Sequence, residues 1–218
     1  MIQRGADPDM ANLFMGTFET VLSEVINFIP IDCILAEDKP ASAKVVALGK
    51  KLGLEVRMFR TYDELVAQTG DFKKIGICFI AGFGTILRND FIQKCDAVVN
   101  MHLGDVADCR GRHPLPTAIL RKDRMMTATI HLIDSEKIDA GPILGKTSLP
   151  IDYDKNYTAN EIELLKAAVQ LTREVLNQYK RTGSFRGQPW KAPDGSYQPK
   201  VPSETLERVF RARTLKEL

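Results

Sequence analysis

The sequence predicts an α/β fold: a mostly parallel, twisted sheet with helices on both faces. Three observations carry that prediction. Short apolar segments alternate with segments that carry helix signals through the first hundred residues. The apolar segments are continuous rather than alternating, as strands are when both faces of their sheet are covered. The chain has 218 residues, 44% of them hydrophobic and 27% charged. That is one large domain by length, able to bury about 70% of its unfolded surface. The composition is ordinary for a globular protein and excludes disordered and collagen-like classes.

The elements follow in order. Residues 1–10 read as a disordered lead. Ala11 to Gly16 is strand-sized and apolar. Thr17 is placed to cap a helix, with Glu19 in the first turn where the dipole favours an acid. Ile31 to Ala36 reads as a strand. Pro40 to Gly53 reads as a helix, with Pro at its start and Gly at its end. Leu54 to Phe59 is a strand, and Thr61 with Glu64 has capping-box spacing for a short helix to Gly70. Lys74 to Ala81 is the most apolar strand, Asn89 to Cys95 a short helix, and Ala97 to His102 another strand. Crossovers in such a sheet are right-handed.

Beyond this the pattern loosens. Gly104 to Pro116 is a loop, and Leu115 to Lys122 a short helix. Met126 to Ile133 and Ile143 to Leu149 are strands. Thr158 to Tyr179 is a long amphipathic helix, apolar at Ile162, Leu165, Ala168, Val169, Thr172, Val175 and Leu176. Residues 183–203 hold seven Gly and Pro. The organisation is a catalytic domain over 11–182 and a loop-rich appendage over 183–218. Phe185, Trp190, Tyr197, Leu206, Val209 and Phe210 of that appendage either pack back onto the domain or form a homodimer contact.

Several function classes drop out. No apolar run approaches the ~20 residues that span a bilayer, so no membrane partner is expected. The first ten residues carry Arg4, Asp7 and Asp9 and no apolar stretch, unlike a signal peptide. Four cysteines show no CxxC spacing, which disfavours a metal site and fits a reducing cytoplasm. G-x-G-x-x-G, the P-loop and G-x-S-x-G patterns are all missing. A net charge of +2 does not suggest nucleic acid. The charge is uneven, however: residues 180–218 hold nine Lys/Arg against four Asp/Glu. That is either a solvated tail or a surface for an anionic acceptor.

Polar groups gather at three places. Asn100 and His102 lie two apart at the C-terminal end of a strand, so they share a face where open α/β sheets bind ligands. Asp139 and Asp134 lie between the last two strands, where turn chemistry is the alternative reading. Arg110 and Arg112 flank Gly111 in a loop and form either an anion clamp or a solvated turn. His113, before Pro114, reads as structural.

With these residues the sequence resembles the formyltransferase family that uses 10-formyltetrahydrofolate. The resemblance rests on Ala81-Gly82-Phe83-Gly84, Asn100-Met101-His102, Arg110-Gly111, and His131 to Asp134 leading into Asp139 to Ile143. It covers about residues 75–150 and implies the Rossmann-related fold of that family. It also implies catalysis by Asn100, His102 and Asp139: Asn100 as oxyanion donor, His102 as donor or acid, Asp139 raising the imidazole pKa. The folate would lie near Phe83, Gly84, Thr85, Ile86 and Leu87 on one side and Asp134, Lys137 and Ile138 on the other. Glycines 82 and 84 would let backbone approach its ring.

Two departures stand out. His102 is followed by Leu103-Gly104-Asp105-Val106-Ala107-Asp108 instead of the family's Pro-Ser-Leu-Leu-Pro. Phe14-Met15-Gly16-Thr17 replaces the family's phosphate-holding Gly-Asn-Gly-Ser-Asn-Leu. The second departure argues against glycinamide ribonucleotide as acceptor, and the length against a tRNA-binding second domain. Arg110-Gly111-Arg112-His113-Pro114 looks most like the nucleotide-sugar members. The expectation is formyl transfer to a nucleotide-linked amino sugar, with Arg110 and Arg112 on its phosphates. A glycinamide ribonucleotide-type acceptor, hydrolysis of the formyl folate, and a silent binding protein remain as alternatives.

Overall fold

The computed structural model describes residues 10–194 and 196–218. The expected disordered lead lies outside the described residues, except Met10, which opens the first strand. Five strands run parallel: β1 (Met10–Gly16), β2 (Cys33–Glu37), β3 (Glu55–Phe59), β4 (Lys74–Ala81) and β5 (Cys95–His102). A two-residue strand, β6 (Arg110–Gly111), leaves this sheet. β7 (Met125–Leu132) returns antiparallel to β5, and β8 (Ile143–Pro150) antiparallel to β7. The spatial order is β3-β2-β1-β4-β5-β7-β8. The order reverses direction at β1 and β4, and sheets of this kind bind ligands beyond the carboxyl ends of such strands.

Helices cover both faces. Phe14, Ile34, Phe79 and Val99 pack under α1 (Glu19–Val25), α2 (Ala43–Lys51), α5 (Pro114–Leu120) and α6 (Tyr157–Thr182). Leu13, Leu35, Cys78 and Val98, the alternate residues of the same strands, pack under α3 (Tyr62–Gln68) and α4 (Asn89–Ile92). Burial on both sides explains why these strands read as unbroken apolar runs. Among the described residues no helix is long and apolar enough to cross a membrane.

Several local expectations change. Thr17 does not cap α1. Its hydroxyl donates to the Gly82 carbonyl at 3.2 Å, and Phe18 takes the cap position without a side-chain bond. Pro40 opens a separate 3₁₀ turn before α2. At α3, Thr61 accepts from Glu64 N at 3.2 Å, but the Glu64 carboxylate turns back to Arg60 N. In α6 the buried stripe runs through Leu164, Ala168, Leu171, Thr172, Val175 and Leu176, while Ile162 is 46% exposed.

The C-terminal residues form more than loops. β9 (Tyr197–Gln198) pairs in parallel with β6, and α7 (Ser203–Arg211) buries Leu206 and Val209. Phe185 stacks on Tyr179 at 4.4 Å, and Phe210 meets Tyr157 edge-on at 4.7 Å. The apolar residues expected for a dimer contact thus largely pack within the chain. Tyr197 and Phe210 remain about half exposed and line the cleft described next.

Candidate active site

A cleft of about 580 Å³ opens at the carboxyl ends of β4 and β5, within the range of small-molecule sites. Asn100, His102 and Asp139 all line it. Strand register explains the convergence. Asn100 and His102 share a face of β5, and the antiparallel pairing sets His131 of β7 directly opposite Asn100 and Thr129 opposite His102. Opposed residues of paired strands share a face, so His131 joins the site although it is fully buried. Asp139 reaches in from the loop between β7 and β8, held at φ +47°. Asp is among the few residues that tolerate this left-handed region.

The hydrogen bonds fix the protons. His131 Nδ1 lies 2.8 Å from the Leu132 carbonyl, which can only accept. Nδ1 therefore carries the proton, and Nε2 accepts from Asn100 Nδ2 at 3.1 Å. Asn100 Nδ2 also donates to Asp139 Oδ1 at 3.2 Å, and that oxygen is 3.4 Å from His131 Nε2. With those three sides, the two acceptors subtend about 65° at Nδ2, against ~120° between amide N–H bonds. The amide thus faces His131 and Asp139 through bent bonds, at the wall of the cleft that Asn100 lines.

His102 sits between two acceptors. Its Nε2 is 2.7 Å from the Cys109 carbonyl and its Nδ1 is 3.5 Å from Asp139 Oδ2. The Cys109 carbonyl is delivered by the segment that departs from the family pattern. There Asp105 O accepts from Asp108 N and Cys109 N at 3.1 and 2.7 Å, and Asp105 Oδ1 from Ala107 N at 2.9 Å. Thr129 Oγ1 ties Gly104 O at 2.7 Å. A Cβ at Gly104 would come within 2.4 Å of Pro114 Cβ and 2.8 Å of His102 Nε2, so the turn is built against the imidazole.

Burial pushes the His102 pKa down and outweighs the upward pull of Asp139, so the ring is neutral near pH 7. This reverses the expectation that Asp139 raises it. Burial also works to raise the Asp139 pKa, but the positive charge that the His102 and His131 imidazoles carry in acid, with the Gly111 N–H at 2.8 Å, lowers it to about 2. His102 is thus a neutral ring with a lone pair at Nδ1, beside a permanent carboxylate.

A stability prediction follows. Below pH 6.5 the unfolded chain protonates this histidine and the folded chain resists, so acid favours unfolding. The loss approaches about 1.4 kcal/mol per pH unit for one full proton. Urea unfolding at pH 7.5, 6 and 5 should show stability falling with acid, and His102→Gln should flatten that fall. A wild-type stability that rises toward pH 5 would contradict the neutral ring.

The other expected site residues divide. Phe83, Gly84, Thr85, Ile86, Leu87, Lys137 and Ile138 all line the cleft. Glu37 organises the first loop, accepting from Thr85 Oγ1 at 2.8 Å and Gly84 N at 3.3 Å. The glycines answer to packing within the protein. A Cβ at Gly82 would meet Thr17 Oγ1 at 2.6 Å, and one at Gly84 the Glu37 carboxylate at 3.3 Å. Asp134 does not join the cleft. Ile133 N bonds Val98 O at 2.8 Å, carrying strand pairing past β7, and leaves Asp134 on a separate cavity of about 770 Å³ among Met10, Gly76 and Phe185.

Arg110 does not line the cleft either. It donates to the Ile138 carbonyl at 3.1 Å and to Ser196 Oγ at 2.7 Å, so it is a brace and not an anion clamp. Arg112 lines the cleft and donates to the Gly84 carbonyl at 2.8 Å. Tyr157, Glu161, Tyr197 and Phe210 line it as well and were not foreseen. Only His131 carried a sequence signal, through the His-x-x-Asp spacing.

The Formyl transferase family model matches residues 32–176, about two thirds of the chain. The chain belongs to the formyl transferase family. Among its curated relatives is the methionyl-tRNA formyltransferase of Roseiflexus castenholzii, 29% identical over 188 residues that cover 79% of this chain and 59% of that one. Among solved structures, the sugar 3N-formyl transferase WlaRD, in the presence of dTDP and 5-N-formyl-THF, superposes with TM-score 0.69 at 17% identity, covering 88% and 70% of the two chains. The phosphoribosylglycinamide formyltransferase of Streptococcus pneumoniae TIGR4 gives 0.65 at 18% identity, covering 77% and 97%. At such identities the superpositions establish a shared formyl transferase fold. The chain spans between 44% and 59% of the lengths of the first three curated relatives.

Proposed function

We propose that this formyl transferase moves the formyl group of 10-formyltetrahydrofolate onto a primary amine carried by a nucleotide sugar. The observation that carries the transfer is the Asn100–His131–Asp139–His102 constellation, of which Asn100, His102 and Asp139 line the cleft. The folate's flat ring fits between the 83–87 and 135–138 loops, where Phe83, Ile86, Ile133 and Ile138 supply apolar walls. When bound, it supplies the formyl carbon and a nitrogen that must gain a proton as it leaves.

The chain's residues do the rest. Asn100 offers an amide N–H to the oxygen where charge develops, which selectively favours the transition state. The attacking amine must lose a proton. Asp139, held near pKa 2, is a weak base and passes it to His102 Nδ1. Protonated there, the ring is flanked by the Cys109 carbonyl and the Asp139 carboxylate, so both its N–H groups have acceptors. The same proton can then return to the leaving nitrogen.

The acceptor reading rests on the cleft rim. Arg112 and His113 line it, and His113 Nδ1 is buried without a hydrogen-bond partner among the described residues. Lys200 lies near enough to lower the His113 pKa, after burial, together with Arg112. That group suits a phosphate, and the exposed Tyr197 ring beside Gly111 suits a base. A second reading is an aminoacyl ester on tRNA. It is favoured by the curated relatives and by the apolar wall of Phe18, Leu103, Leu115 and Phe210.

A thermal and kinetic series tests both halves. A reduced folate at ~100 times Kd should add about 2.7 kcal/mol of apparent stability. Arg112→Ala should raise KM for an amino-sugar nucleotide more than it lowers kcat, because a phosphate contact is made equally in ground and transition states. No thermal shift with an intact folate would sink the donor assignment. Turnover with methionyl-tRNA and none with amino-sugar nucleotides would select the second reading.

A further inference from the structure

The loop carrying Asp139 is held from outside by the C-terminal segment. Gln188 exchanges two backbone bonds with Ile143, at 2.8 and 3.0 Å. Trp190 Nε1 donates to the Gly141 carbonyl at 2.8 Å. Ser196, only 4% exposed, accepts from Arg110 Nε at 2.7 Å through Oγ and from Arg110 N at 2.8 Å through its carbonyl. Its hydroxyl hydrogen goes to Pro193 O at 2.7 Å. Arg110 then donates Nη1 to the Ile138 carbonyl, the peptide unit joining Ile138 to Asp139, at 3.1 Å. One residue on, Gly111 N donates to Asp139 Oδ2, and β6, which contains both, is held in register by β9.

We infer that residues 187–194 and 196–198 form a positioning strap for Asp139, with Ser196 as its anchor and Arg110 as the link. Asp139 needs such support for a physical reason. Its backbone occupies a region L-residues rarely adopt, at φ +47°, and such conformations persist only where the surroundings over-determine them. Within the loop, Leu132 N donates to the Pro142 carbonyl at 2.9 Å, which closes its base without reaching Asp139. The strap fixes the carbonyl before Asp139 through Arg110, the Gly111 N–H on its carboxylate through β6–β9, and the exit of the loop at Gly141 and Ile143. Arg110 and Ser196 do not line the cleft themselves, so they act through the Ile138–Asp139 segment that does.

The inference rests on the transfer chemistry proposed above, and its test keeps the two separable. Ser196→Ala is made alone and together with Asp139→Asn in the full chain. With the acceptor that turns over in the wild type, Ser196→Ala should lower kcat about tenfold and leave the folate KM within about twofold. Added to Asp139→Asn it should cost nothing further, because the group it positions is already disabled. Ring ¹⁵N spectra of His102 and His131 give a reading independent of turnover. Ser196→Ala should shift both rings in the wild type and neither in the Asp139→Asn background. Losses that multiply in the double variant, or ring spectra unchanged by Ser196→Ala, would overturn the strap. A wild type without turnover would overturn the transfer reading alone and leave the strap to be decided by the spectra.

Discussion

Asp139→Asn should lower kcat by about 10²–10⁴, the usual worth of a positioned proton-transfer group, while folate still protects the protein thermally. Asn tolerates the left-handed backbone that Asp139 occupies, and its amide oxygen can keep the Gly111 N–H. What disappears is the charge, together with the Oδ1 acceptor for Asn100 Nδ2. His102 Nδ1, once protonated, would face a neutral amide instead of a carboxylate, and the route by which the amine sheds its proton would close. Single-turnover rates with a saturating donor isolate this step from product release. A fall of less than about tenfold would mean that the proton leaves by water and that Asp139 serves only the fold.

Asn100→Ala should reduce kcat by about 10²–10³, or roughly 2.7–4 kcal/mol of transition-state stabilisation, with folate binding kept. The reason is the amide itself, which lines the cleft and is held there by His131 Nε2 and Asp139 Oδ1. Asn100→Asp is the sharper comparison. It preserves volume but offers only acceptors and sets a second carboxylate about 3.2 Å from the first. Its turnover should be no better than that of Asn100→Ala. If Asn100→Asp instead retained near-normal kcat, the amide would not be the oxyanion donor.

Much of this site was legible in the sequence, and the reasons are local. Lys74 to Ala81 has the bounds read from its apolar run because burial on both faces leaves no polar residue to blur them. Asn100 and His102 could be placed together because strand parity is a property of neighbours. His131 could not be set against Asn100, because that depends on the register of an antiparallel pairing across 31 residues. Asp134 and Arg110 misled because motif proximity does not say which way a loop residue turns. The α6 stripe was misphased at Ile162 because a helix rich in Leu, Ile and Val admits more than one apolar face. The strap was hidden for another reason. Gln188 and Tyr197 are held largely through backbone groups, which every residue carries and no pattern reveals.

The central claim is that a formyl carbon passes from folate to an amine at this cleft. The direct measurement uses 10-formyltetrahydrofolate labelled with ¹³C in the formyl group, mixed with the protein and an amino-sugar nucleotide and followed by ¹³C NMR. The predicted result is a formamide carbon on the acceptor growing in step with tetrahydrofolate, and its loss in Asp139→Asn. Label that emerges as free formate with the acceptor unmodified would contradict the claim and make the protein a hydrolase. Label that stays on the folate with every amine offered would contradict it altogether.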